Sequence, residues 1–232
     1  MENLLEKNML GSINKEVQKV IKEMAGKITD DLIQKKVIDE EVRDIYIYGS
    51  ELLVSEILST MLILVIGAFA GCICETILYL CIYTSIRVYA GGYHAATHRN
   101  CIIMFNFFYI EIIYIIKMLE NANMETVLLY GALASGVFIF VLAPVEDLRK
   151  PLEIEERVVY KKKARTRSIL YITTLVAIYN MIPALRDEIA YGMAAVCEVA
   201  LLVLCGFIKN RLMVSKRKYD IRGKEYDFSS NL

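Results

Sequence analysis

Residues 51–70 read E-L-L-V-S-E-I-L-S-T-M-L-I-L-V-I-G-A-F-A, an apolar run broken by charge only at Glu51 and Glu56. About 20 mostly apolar residues in a helix cross a hydrocarbon core roughly 30 Å thick. The pattern recurs at 72–88, 101–117, 126–143, 168–184 and 189–207. Mean hydropathy is +0.42, and 56% of the 232 residues are hydrophobic. These features predict an all-α fold, a polytopic membrane helical bundle of about six transmembrane helices. None of the runs reads as a cleaved signal peptide, because the first 40 residues are charged throughout. The composition excludes disorder and collagen-like character. A net charge of +0 lacks the basic surplus of a nucleic-acid binder, so no nucleic-acid partner is expected.

Charge gives the runs a side. Of the 27 Lys and Arg residues, only Lys117 and Arg186 fall in the loops opposite the other 25. Positive residues accumulate in cytoplasmic loops, which predicts both termini in the cytoplasm and an even number of spans. Three regions follow: an interfacial or cytoplasmic helical region at 1–44, a six-helix membrane domain at 45–209 and a basic cytoplasmic tail at 210–232. In the first region Ile13, Val17, Val20, Ile21, Met24 and Ile28 recur at helical spacing between Lys and Glu. This predicts an N-terminal amphipathic helix of roughly 25 residues. It would lie in the membrane interface, or pack on the protein's own cytoplasmic face or on a second copy. Asp39, followed by Glu40 and Glu41, reads as an N-cap leading into the first span.

The chain holds six Cys and two His. Cys72, Cys74, Cys81, Cys197 and Cys205 lie in or beside apolar runs and read as small buried hydrophobes. Cys72 and Cys74 are too close in sequence to bridge without strain, and no disulfide framework is expected. Cys101 differs. It ends the stretch R-V-Y-A-G-G-Y-H-A-A-T-H-R-N-C at 87–101, which contains both histidines and the only Gly-Gly pair.

Three readings of that stretch compete. A Cys101 nucleophile needs a base to take its proton, and His94 could supply it while Arg87 and Arg99 favour the thiolate. On one straight helix His94 and Cys101 would lie about 10 Å apart along the axis, too far for proton transfer. A dyad therefore demands a break or sharp turn between residues 90 and 101, which Gly91 and Gly92 leave the backbone free to make. Alternatively, His94, His98 and Cys101 fall at i, i+4 and i+7, three possible zinc ligands on one helix face. The zincin pattern would place Glu after the first His, where Ala95 stands, and a fourth ligand is not evident. The third reading is a polar turn with its His and Arg at the lipid headgroups.

Residues 87–101 resemble the motif of the AgrB (accessory gene regulator B) family, membrane peptidases of bacterial quorum sensing. That motif runs Arg, six residues with glycine near the end, His-Ala, then Cys seven positions after the His. Arg87, Gly92, His94, Ala95 and Cys101 fall in place. Ala143-Pro144 followed by Arg149-Lys150-Pro151-Leu152 is a second, supporting match. The likeness extends over residues from about 45 to 210. The long N-terminal stretch and His98 depart from it. The resemblance implies a cysteine endopeptidase of the bacterial cell membrane that processes an AgrD-like precursor peptide, with Cys101 as nucleophile and His94 as general base. It further implies a thioester on Cys101, release of a cyclic thiolactone or lactone, no cofactor or metal, and a homodimer.

Supporting groups can be named on chemistry. Backbone N–H groups around Gly91, Gly92 or Cys101 are oxyanion donors in prospect, as is Arg87, which reads equally as an anchor at the end of its span. Lys161, Lys162 and Lys163, with Lys150, could attract an acidic part of the substrate or bind anionic lipid. Glu51, Glu56, Glu75, Glu111 and Glu198 sit in or at the edge of spans, where an unpaired carboxylate is costly. Glu51 or Glu56 could orient His94 or pair with Arg87. The competing functions are a non-catalytic peptide-export component and a metal-dependent membrane hydrolase using His94, His98 and Cys101.

Overall fold

A computed structural model of the chain describes residues 2–93, 95, 97–122, 124, 126–146 and 152–229, with side chains described from 16 to 215 apart from 17 and 98. Seven α-helices follow in order: α1 (Glu2–Gln34), α2 (Arg43–Phe69), α3 (Ile73–Ala90), α4 (His98–Asn121), α5 (Thr126–Leu142), α6 (Ile154–Met181) and α7 (Arg186–Ser229). Among the described residues the strand-like pairing is confined to one isolated bridge between Gly91 and Val145. The protein is an all-α, polytopic membrane helical bundle.

Among the described residues four helices, not six, are long and apolar enough to cross a membrane: Glu40–Phe69, Ile73–Ala90, Arg99–Asn121 and Pro183–Ser215. The expected span at 126–143 is the apolar helix α5, which has 17 residues and so extends about 25 Å. The expected span at 168–184 fails for a different reason. The helix stops at Met181 and Ile182 leaves helical geometry before the turn at Pro183–Leu185. The apolar stretch left at 168–181 extends only about 21 Å, behind a first half rich in Lys and Arg.

The chain divides into two compact units, Met1–Gly71 with Ala95–Glu111, and Cys72–His94 with Ile112–Leu232. In the first, α1 packs along α2. The predicted N-terminal helix forms, but it is not clearly amphipathic. Its buried stripe is Ile21, Ala25 and Thr29, while Val20, Met24 and Ile28 stay exposed. The spacing of four selects one narrow line of contact, and the other apolar positions fall beside it. The Thr29 and Ser50 hydroxyls meet at 3.5 Å, and Arg43 donates to Asp30 at 2.8 Å. Small residues line the buried side of α2, among them Ser50, Ser55, Ser59 and Gly67. They admit close neighbours, and Asn106 of α4 donates to Ser59 at 3.1 Å. Asp39 takes the expected N-cap position, with extended backbone ahead of the short turn at Glu40–Val42 that leads into α2, but its side chain makes no capping hydrogen bond.

In the second unit α3, α5 and α7 run parallel and α6 returns antiparallel. The direction follows from paired contacts. Tyr79 of α3 bonds Glu198 of α7, and past the end of α3 Tyr93 N–H donates to Leu202 O, one turn further along α7, at 2.7 Å. Along α6, Tyr179 meets Thr126 at 3.0 Å and Arg165 meets Phe140 O at 2.9 Å. α7 is the central helix, buried at Ile189, Met193, Val196, Val199 and Val203. A reciprocal capping box between Glu153 and Glu156 starts α6.

None of the six cysteines is disulfide-bonded. Cys72 is buried and Cys197 half-buried, as small apolar residues, but Cys74, Cys81 and Cys205 are exposed. Burial was the expectation for all five. In membrane helices a small apolar side chain is equally at home facing lipid, so hydropathy alone does not assign it inward.

Candidate functional site: the loop between α3 and α4

α3 ends at Ala90 and α4 begins at His98, so a helix break lies between residues 90 and 101. Gly91 (φ 64°) and Gly92 (φ 120°) adopt backbone conformations closed to most side chains. They are also short of room. A Cβ on Gly91 would overlap the Val145 carbonyl oxygen, and one on Gly92 would lie 2.6 Å from Arg87 Nη1 and 2.8 Å from Leu202 O. From the other side, a Cβ on Gly206 would lie 2.6 Å from Gly92 C and Tyr93 N.

Backbone hydrogen bonds lock the segment into the three parallel helices. Val145 N–H donates to Ala90 O and Gly92 N–H to Val145 O, both at 2.9 Å. Tyr93 N–H reaches Leu202 O on α7. Val145 follows the cis peptide between Ala143 and Pro144. The second sequence motif therefore lies beside the first through this backbone pairing.

Arg87 projects from the last turn of α3 and its Nη2 donates to Tyr93 O at 2.5 Å. Neither of the two expected roles, span anchor or oxyanion donor, describes this contact. The guanidinium ties down the residue immediately before His94. Its Nη1 is buried without a hydrogen-bond partner among the described residues. The ring of Tyr93 faces Lys209 at 4.7 Å.

Two acidic groups flank this loop. Glu146 accepts from Leu152 N–H at 3.0 Å, pairs with Arg157 at 2.6 Å, and through its own carbonyl accepts from Asn210 at 2.8 Å. Glu198 is 5% exposed. One of its oxygens accepts from the fully buried Tyr79, and the other has no partner among the described residues. Glu146 drew no attention in the sequence. Glu198 was one of five candidate acids, and its partner lies 119 positions away, beyond any local pattern.

The remaining predicted residues divide as follows. Cys101 is half-buried in the first turn of α4, its N–H donating to Thr97 O at 3.1 Å. The N–H groups of a first helical turn lack helical acceptors and favour negative charge nearby. His94 and Lys150 lie outside the described residues, as does the His98 side chain. Lys161, Lys162 and Lys163 are exposed, with Lys163 5.0 Å from the centre of the Tyr89 ring. Glu51 and Glu75 are half-buried, while Glu56 and Glu111 are exposed. No group of three or more His, Cys, Asp or Glu suited to a metal ion occurs among the described residues, and the His94–His98–Cys101 alternative falls partly outside them.

Three comparisons with known proteins bear on this loop. The family described as "Accessory gene regulator B" matches residues 22–208. An AgrB-like protein of Clostridium perfringens (strain SM101 / Type A) is 26% identical over 194 residues, covering 81% of this chain and 87% of that protein. A second, AgrB-like protein 2 of Clostridium perfringens (strain 13 / Type A), is 27% identical over 164 residues, covering 68% of this chain and 73% of that protein. No solved structure matches. The family match takes in every described helix from α2 to α6, the C-terminal part of α1 and most of the apolar part of α7, and includes the whole α3–α4 loop. The chain belongs to the accessory gene regulator B family.

Proposed function

We propose that this peptide-processing membrane protein is a cysteine endopeptidase that cleaves an AgrD-like precursor and releases a cyclic peptide. The observation that supports this best is the helix break ahead of Cys101. It removes the straight-helix geometry that would keep His94 and Cys101 about 10 Å apart.

In this reading His94 takes the proton of Cys101, and the thiolate attacks the scissile carbonyl. The C–N bond breaks, the leaving amine takes the proton from His94, and the N-terminal part of the peptide stays on Cys101 as a thioester. An internal Cys of the peptide then attacks that thioester, passing its proton to the Cys101 sulfur by way of His94, and leaves as a thiolactone. A Ser in its place gives a lactone. Water must be kept from the thioester, or the product is linear. The N–H groups of Gly91, Gly92, Tyr93 and Cys101 already donate to backbone carbonyls, so the donors for the oxyanion come from the start of α4 ahead of Cys101. No cofactor enters this chemistry.

The setting is the bacterial cell membrane, with both termini cytoplasmic as the Lys and Arg distribution indicates. Lys150 and Lys161–Lys163 attract acidic peptide segments or anionic lipid, and family likeness favours a homodimer.

The test is incubation of the purified protein with a synthetic AgrD-type precursor, followed by mass spectrometry of Cys101. An acyl adduct that is absent in His94→Ala is expected. Processed peptide from Cys101→Ser would instead support an export component. Loss of activity to a chelator, with about one zinc per chain, would support the metal-dependent hydrolase.

A further inference from the structure

Of the five acids that the sequence places in or near spans, Glu198 is the one classed as buried. A carboxylate inside a membrane bundle needs compensation by hydrogen bonds or opposite charge. Tyr79 supplies one hydrogen bond. The Arg87 guanidinium, ionised at every accessible pH, lies against α7 one turn beyond Glu198, since its Nη1 and Leu202 O both fall within 2.8 Å of the place a Gly92 Cβ would occupy; its charge reaches Glu198 through space, with no direct ion pair between them among the described residues. The geometry makes this pair consequential. On α3, Tyr79, Tyr83 and Arg87 fall at intervals of four, and on α7 so do Glu198, Leu202 and Gly206. Tyr79 bonds Glu198, Tyr93 bonds Leu202, and the backbone of Gly92 lies against Gly206. Arg87 stands between these contacts. One of its amino groups holds the Tyr93 carbonyl and the other faces Gly92 without a hydrogen-bond partner among the described residues.

We infer that Glu198 is a positioning residue: with Tyr79 it holds the Arg87 guanidinium over the Gly91–Tyr93 segment and so fixes where the chain enters His94. Glu198 touches no reacting atom. Its catalytic consequence rests on the proposed peptidase reading, whereas its effect on the loop does not.

The experiment therefore has two readouts, on the full-length protein in detergent. The first is amide hydrogen exchange. Glu198→Gln keeps an acceptor for Tyr79 but removes the charge. It should speed exchange at Gly92 and Tyr93 at least tenfold while the α7 amides around Val199 and Val203 keep their rates. Arg87→Gln should do the same, and the double variant should exchange no faster than the worse single one, because both remove the same through-space charge interaction. Glu198→Asp, which keeps the charge, should recover most of the protection and also serves if the Gln variant is poorly folded. Unchanged Gly92 and Tyr93 exchange in Glu198→Gln would overturn the inference, as would acceleration spread equally through α7 or an Asp variant as impaired as Gln.

The second readout is the rate of Cys101 acylation by a synthetic AgrD-type precursor. Glu198→Gln should lower the saturating rate about tenfold with the half-saturating concentration within twofold. Absence of acylation in the unsubstituted protein counts against the peptidase reading and leaves the exchange result to decide the role of Glu198. Acylation at full rate in Glu198→Gln counts against the positioning role alone.

Discussion

Gly206→Ala puts one methyl group into a tight backbone contact between α7 and the loop. The added Cβ would lie 2.6 Å from Gly92 C and Tyr93 N, so the two chains must separate by about 0.8 Å to reach the short end of normal packing. Neither neighbour is a side-chain tip that can rotate away. One is the loop backbone and the other is the central helix. The Tyr93 N–H to Leu202 O bond starts at 2.7 Å, and the same displacement takes it to the limit of useful hydrogen bonding. Overpacking of this kind costs about 1–3 kcal/mol, and the weakened buried bond adds about 1 kcal/mol. The functional loss should be larger than the loss of stability, since a shift near 1 Å at a reacting group costs on the order of 100-fold in rate. Gly26→Ala and Gly49→Ala are the controls. Both glycines lie in helices with nothing within 4 Å of an added Cβ, so each should be neutral or stabilising by up to about 1 kcal/mol. The assay is thermal unfolding in detergent beside precursor cleavage. A Gly206→Ala protein that unfolds and cleaves like the unsubstituted chain would refute the claim that this contact sets the loop.

Other substitutions separate the remaining contacts. Tyr79→Phe leaves buried Glu198 without its hydrogen bond and should destabilise by about 1–3 kcal/mol, read as a lower unfolding midpoint. Glu146→Ala should cost more than Arg157→Ala. The Arg157 side chain is largely exposed, so its ion pair contributes below about 1 kcal/mol, whereas removing Glu146 also takes the acceptor from Leu152 N–H. Equal midpoints for those two variants would contradict this. Among the exposed lysines, Lys161→Gln and Lys162→Gln should leave the midpoint unchanged within about 0.5 kcal/mol. Lys163→Gln loses its position over Tyr89 and should cost about 0.5–1 kcal/mol.

The helices α2, α3, α4 and α7 could be read from the sequence because apolar length is a local property. The limits of that signal show at α6. Its hydropathy continues past Met181, but the helix does not, since Pro183 ends it from beyond the apolar run. The N-terminal helix was also foreseeable. Which of its apolar residues would be buried was not, because the choice of Ile21 and Ala25 over Val20 and Met24 depends on α2. At the loop, the Gly91-Gly92 pair announced a break. What packs against it did not, because Val145, Leu202 and Gly206 are distant in sequence and carry no chemical label.

The parallel course of α3, α5 and α7 has an electrostatic consequence. Aligned peptide dipoles leave roughly half a negative charge at the carbonyl end of each helix, and here the ends of α3 and α5 share one edge of the unit while α7 runs on past it. α6 runs the other way and answers both directly. Arg165 donates to Phe140 O near the end of α5, and Arg167 donates to Ser85 O on α3 at 3.0 Å. Part of the α6 basic stretch is therefore spent on internal neutralisation, while the exposed Lys161 and Lys162 keep their charge to offer outside the fold.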